Sequence, residues 1–242
     1  MQHMKVIGIE TSNIIGGVAF IDSDKGKAKE FTFKRGMVHG KLLAPSIDKG
    51  MRELKWKFSD IDLISVDIGP GSYTGLRVGV VTAKALVYTI NELNKEKGKK
   101  PKTALIGVSS LDAMVKNLQT KYDFICPVID ARWKQVYTAI YKNVKGSYKR
   151  ISDYLPILPE ELVKKLPESV FMFGDGLSRY KDIFIGKGLA FGGENVWFPR
   201  AKYIAQLGLN MFKEGKRDDP LKLVPSYLRA TEAEMKRKGE IK

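Results

Sequence analysis

The sequence predicts an α/β protein of two lobes, each built in the order β-β-β-α-β-α. Three observations predict it. Residues 5 to 90 alternate strand-type and helix-type apolar periods in that order, residues 123 to 184 repeat the order, and a basic connector separates the two runs. The connector, NELNKEKGKKPK at 91 to 102, holds five lysines, a glycine and a proline, a composition suited to an exposed connection. The lobes are set at 1–105 and 106–242.

In the first lobe, KVIGIET (5 to 11) and GGVAFID (16 to 22) read as strands around a polar turn at Ser12 and Asn13. KEFTFKR (29 to 35) follows, with Phe31 and Phe33 alternating with polar residues, the period of a half-buried strand. A helix is predicted near 40 to 56, where Leu43, Ile47, Met51 and Leu54 form one apolar stripe. Strand 62 to 68, a glycine-rich turn at 69 to 75 and a helix from about 73 to 90 complete the lobe.

In the second lobe, DFICPVID (123 to 130) and KQVYTAIYK (134 to 142) read as neighbouring strands, with a third near 146 to 152. A helix at 159 to 166, a strand at 170 to 174 and a helix near 176 to 184 follow. A further helix, 200 to 214, is free to pack back on the first lobe, and the tail after Pro225 reads as helical.

Composition narrows the function. The chain has 242 residues, 43% apolar and 29% charged, and no apolar run reaches the roughly 18 to 20 residues that cross a bilayer. MQHMKVIGIETS lacks the apolar core of a secretory signal, so a cytoplasmic protein with no membrane contact is expected. Cys126 is the single cysteine, which excludes an internal disulfide and a multi-cysteine metal site. Within FICPV it reads as a buried small residue. Forty-two Lys and Arg against 27 Asp and Glu give a net charge of +15, which permits proximity to RNA or an acidic partner without demonstrating either.

The glycine turn GPGSYTG fits a phosphate loop poorly. Gly75 is followed by Leu76, whereas the nucleotide-binding lysine loop needs Lys and a hydroxyl residue there. The dinucleotide pattern needs a sixth-position glycine, and Thr74 stands there. The helix after it carries Gly75, Gly79, Ala83 and Val87 every four residues, on one face. Glycine within a helix costs about 1 kcal/mol relative to alanine, so two on one face point to close backbone approach. The neighbour is a strand of the same lobe or a helix of another subunit.

IGIETS (7 to 12), DIGPGSYTGLRVG (67 to 79), IGVSSLDAM (106 to 114), DARWKQVYTAIY (130 to 141) and PSYLR (225 to 229) together resemble the bacterial TsaB family of tRNA threonylcarbamoyladenosine biosynthesis proteins. That resemblance implies a two-lobed actin-like fold, of the sugar-kinase and ribonuclease H-like class. It implies a non-catalytic subunit that binds and stabilises a catalytic paralogue, TsaD, which transfers threonylcarbamoyl to the adenosine beside the tRNA anticodon. A small ATPase, TsaE, joins them, and tRNA is met through the complex. ATP and a metal ion belong to the partners, and no cofactor is expected on this chain alone. TsaD-like chains carry two histidines four apart in the stretch matching 107 to 115; here Ser110 and Met114 stand at those positions, and the only histidines are His3 and His39. No residue is therefore assigned to catalysis or to a metal.

The resemblance places the subunit contact on the two first-lobe helices, with Leu43, Ile47, Met51, Tyr73, Gly75, Leu76, Gly79 and Ala83 as contact residues and a homodimer expected when the partner is absent. Glu10, Thr11 and Ser12 are candidates for a residual nucleotide contact. Asp130-Ala131-Arg132 lacks the glycines of a phosphate loop, Arg132 being a turn residue or a contact to the partner, and Trp133 and Tyr137 beside it read as packing residues. The competing readings are a small-molecule kinase of the same superfold, a glycoprotease-like peptidase, for which His39 and Cys126 are the only conceivable pair, and direct RNA binding.

Overall fold

A computed structural model describes residues 3–26, 28–34, 39–98, 102–184 and 188–229. The chain forms two compact units, residues 1–120 with 194–225, and residues 121–193 with 226–242.

In the first unit β1 (Lys5–Glu10), β2 (Ile15–Asp22), β3 (Ala28–Lys34), β4 (Leu63–Gly69) and β5 (Ala104–Ser109) form one sheet in the order β3-β2-β1-β4-β5. β1, β2 and β3 pair antiparallel, while β4 runs parallel to both β1 and β5. Alternation along the strands fixes two apolar faces. Ile7, Ile9, Val18, Phe20, Ile64 and Val66 pack against α1 (His39–Glu53) and α2 (Tyr73–Glu96). Val6, Ala19, Ile21, Leu63 and Ile106 pack on the other face against α6 (Ala201–Lys213). Gly8 lets α6 come close, since a Cβ there would stand 2.5 Å from the Ala201 carbonyl oxygen.

The boundary expected at 105 is corrected to 120. Residues 104 to 109 form the edge strand β5, followed by α3 (Ser110–Val115), and both pack within the first unit. α2 also runs to Glu96, taking in half of the expected connector, because Glu, Asn and Lys side chains continue a helix at modest cost.

The second unit carries β6 (Phe124–Asp130), β7 (Val136–Thr138), β8 (Tyr141–Val144), β9 (Ser147–Arg150), β10 (Leu155–Ile157), β11 (Val170–Phe173) and β12 (Ala190–Phe191). The order is β10-β7-β6-β11-β12, with β8 paired to β6 and to β9. α4 (Pro159–Lys165) precedes β11 and α5 (Leu177–Tyr180) follows it. The single strand expected over 134 to 142 is two. Its register against β6 is the same on both sides of the break (Ile125↔Tyr141, Val128↔Thr138), and Pro127, which has no N–H to give, lies in the gap. The helix expected after Pro225 falls largely outside the described residues. No helix among the described residues is long and apolar enough to cross a membrane.

Candidate functional site

The carboxyl ends of β1 and β4 bring Glu10 and Asp67 together, both nearly or wholly buried. Glu10 Oε1 accepts the Ser12 backbone N–H at 2.7 Å and the Ser12 hydroxyl at 2.5 Å. Asp67 Oδ1 accepts the Gly69 N–H at 2.7 Å and the Ser110 hydroxyl at 2.6 Å. Glu10 Oε2 and Asp67 Oδ2 are buried and find no donor among the described residues apart from a proton shared between the two carboxyls. Burial, and then the charge of Asp67, hold the Glu10 carboxyl well above the usual carboxylate range. Burial also lifts Asp67, to about 6, against the opposing pull of Ser110 and Gly69. Of the two, Glu10 is the more strongly disposed to hold a proton, facing the charge of Asp67 as well as its own burial.

This arrangement alters the reading of 10 to 12. Thr11 and Ser12 are buried, the Thr11 hydroxyl donates to the Gly75 carbonyl at 2.8 Å, and the Ser12 hydroxyl is held by Glu10. Neither is free to meet a nucleotide. Glu10 alone lines a cavity of ≈ 260 Å³, together with Gly16, Gly17, Glu30, Phe198 and Arg200. Arg200 is paired with Glu30 at 2.5 Å. Its walls are therefore acidic or neutralised, which disfavours phosphate.

The partner-contact residues are corrected as well. Leu43, Ile47, Met51, Leu76 and Ala83 are core residues of the first unit, and Gly75 and Gly79 are buried. The glycine face packs on the chain's own turn: a Cβ at Gly75 would stand 2.0 Å from the Thr11 carbonyl oxygen. The physical reason is that an i, i+4 stripe of small or apolar residues is what a helix turns toward its own sheet. Tyr73 is the exception, 42% exposed. It begins the opposite stripe of α2, Tyr73, Arg77, Val81, Ala85 and Tyr88, all exposed, with Val81 at 64% and Tyr88 at 65%. Arg77 lies over the Tyr73 ring, 5.1 Å from its centre. Sequence reasoning missed this stripe because Arg77 interrupts it and because its apolar members are widely spaced.

Ser110 and Met114, which the resemblance sets against histidines, are committed to packing and hydrogen bonding within this chain. Ser110 is bonded to Asp67, and Met114 is fully buried in the core. His3 is not isolated, since it meets the largely buried Asp22 at 2.8 Å, with the exposed Asp24 nearby. In the second unit Arg132, Trp133 and Lys134 are three consecutive left-handed residues, φ 63°, 50° and 60°. Asp130 Oδ1 accepts the Arg132 N–H at 2.9 Å, and its other oxygen is paired with Arg179 at 3.2 Å. Trp133 is 45% exposed and is not the packing residue it was expected to be. Cys126 is buried against Thr138, its thiol pushed up to about 12 by burial.

Fold and site together define a two-unit α/β protein whose first sheet brings two buried carboxyls, Glu10 and Asp67, to one end. The model of the TsaD family, tRNA N6-adenosine threonylcarbamoyltransferase, matches residues 36–190. The chain is 31% identical over 240 residues to the tRNA threonylcarbamoyladenosine biosynthesis protein TsaB of Bacillus subtilis, covering 96% of this chain and 97% of that one. It is 26% identical to TsaB of Escherichia coli, over 98% and 100% of the two chains. YeaZ from Pseudomonas aeruginosa has the same fold, with a TM-score of 0.78 at 20% identity over 93% of this chain and 100% of that one. This chain belongs to the TsaB family of tRNA threonylcarbamoyladenosine biosynthesis proteins.

Proposed function

We propose that this chain is a non-catalytic, cytoplasmic subunit of the assembly that forms threonylcarbamoyladenosine in tRNA, and that it docks a TsaD-like catalytic paralogue through the outer stripe of α2. The observation that carries the first half is Ser110. It stands where the resemblance puts a metal-binding histidine, and its hydroxyl is buried and bonded to Asp67 at 2.6 Å. Met114, the second such position, offers a core thioether, a poor ligand for a hard or borderline metal. The metal ion and ATP then belong to the TsaD-like and TsaE-like partners.

The second half is supported by Val81, Ala85 and Tyr88, an exposed apolar strip on a long helix, led by Tyr73 and Arg77, residue types favoured at the centres of interfaces. Without the paralogue the same strip pairs two copies of this chain. Reconstitution tests the reading: modification of tRNA by TsaD-like and TsaE-like proteins is measured with and without this chain. Stimulation is expected, with no turnover by this chain alone; transfer catalysed by the isolated chain overturns it.

A further inference from the structure

We propose that the β8–β9 hairpin of the second unit is a contact for the sugar-phosphate backbone of RNA, so that this subunit itself holds tRNA. The inference rests on the reading that its assembly handles tRNA. Residues 141 to 151, YKNVKGSYKRI, carry Lys142, Lys145, Lys149 and Arg150 and no acidic residue. All four are exposed.

Two placements run against the hairpin's own stability. Lys142 lies directly opposite Lys149 in the antiparallel register, and like charges so placed repel. The two-residue turn is Lys145-Gly146, with φ 53° and 82°. The first position of such a turn favours asparagine, aspartate or glycine, and lysine there is strained. Both choices cost stability and both add positive charge to the same hairpin, one along its strands and one at its turn. Local rules broken without a local gain mark functional positions.

The surroundings sharpen the contrast. No carboxylate among the described residues forms an ion pair with Lys142, Lys145 or Lys149. In the first unit, by comparison, Lys29 and Lys49 meet Glu53 and Arg52 meets Asp48. Asp123 is felt at Tyr148, which lies on the other face, opposite Asn143. Lysines on an edge strand deter edge-to-edge pairing, and that accounts for Lys149 on β9. It does not account for Lys142, because β8 is covered on both sides, by β6 and β9. On the charged face Lys142 also lies over the Phe124 ring, 5.7 Å from its centre. A cluster of unneutralised ammonium groups on a firm two-stranded ribbon suits a chain of phosphates, each contact releasing condensed counterions.

The test uses the full chain in complex with its TsaD-like partner and a transcribed tRNA as probe. Lys142→Gln, Lys145→Gln and Lys149→Gln together should weaken tRNA binding about tenfold at low salt. The slope of log affinity on log salt should shrink by about 2, from three contacts at about 0.7 each. A control variant, Lys29→Gln, Lys49→Gln and Arg52→Gln, removes the same charge from the first unit and should bind within about twofold of the parent. The hairpin variant should melt no lower than the parent, since it loses a repulsion. Equal binding by the parent and hairpin variants, equal weakening by both variants, or a lowered melting point of the hairpin variant overturns the proposal. Loss of binding to phosphatidylserine vesicles with tRNA binding kept overturns it in favour of a membrane. Failure of the parent chain to form the complex counts against the subunit reading instead, and sedimentation of the complex reads that separately.

Discussion

Gly79 and Thr11 are in contact so close that a Cβ at position 79 would stand 2.3 Å from the threonine Oγ1. That hydroxyl cannot simply turn away, because it donates to the Gly75 carbonyl. Gly75→Ala and Gly79→Ala gain helix propensity of about 1 kcal/mol each. Overpacking costs more, about 1 to 3 kcal/mol, and at Gly75 the obstacle is backbone. Both variants should be less stable than the parent in urea titrations, Gly75→Ala the more so. A variant as stable as the parent would show that the turn at Thr11 yields.

Substitutions on the other side of α2 should behave in the opposite way. Val81→Glu and Tyr88→Glu change exposed positions and should alter stability by no more than about 0.5 kcal/mol. They should weaken association with the TsaD-like partner at least about tenfold, which is about 1.4 kcal/mol. Sedimentation of the mixture, and of the chain alone, measures this. Unchanged assembly removes the outer stripe from the contact.

The Glu10–Asp67 pair predicts how stability varies with pH. Both carboxyls titrate above their ordinary values, so protonation favours the folded state. That contribution is complete below about pH 4 and is lost as pH rises through about 6 for Asp67, with Glu10 shifted in the same direction. A rise from 3.8 to about 6 is on the order of 3 kcal/mol. Asp175 in the second unit, also lifted to about 6, chiefly by burial, adds to the same window. Urea titrations between pH 4 and 7 should show stability falling with pH, and Glu10→Gln should flatten much of that fall. The same slope in parent and variant would mean that the pair does not share its charge as described.

Cys126 should resist modification in the folded protein. Its sulfur is buried and its thiol lifted to about 12, so the reactive thiolate is scarce at neutral pH. A thiol reagent should label it only as fast as the chain opens, and labelling should jump in denaturant. Rapid native labelling would place the sulfur at the surface.

Elements with a clean period were legible in the sequence. Alternation in KEFTFKR and the four-residue spacing of Leu43, Ile47 and Met51 each report one buried face, and the structure supplies it. β5 escaped because ALIGVS is a short apolar run in a parallel strand covered on both faces, with no alternation to mark it. The small face of α2 announced a close approach but not its object. A face without side chains looks the same whether its neighbour is the chain's own turn or another subunit. Glu10 and Asp67 lie 57 positions apart, and no local period links two single acids in separate strands.

α6 covers one face of a sheet whose strands were all made more than 90 residues earlier. On the ribosome, Val6, Leu63 and Ile106 emerge long before Ile204 and Ala205 can cover them. The whole of β6 to β12 is translated in that interval. The first sheet is therefore covered only after the strands of the second unit are made, and the nascent chain holds it half-dressed until nearly the end of synthesis. A chain released at residue 120 should be captured by chaperones or precipitate, although every strand of its sheet is already present.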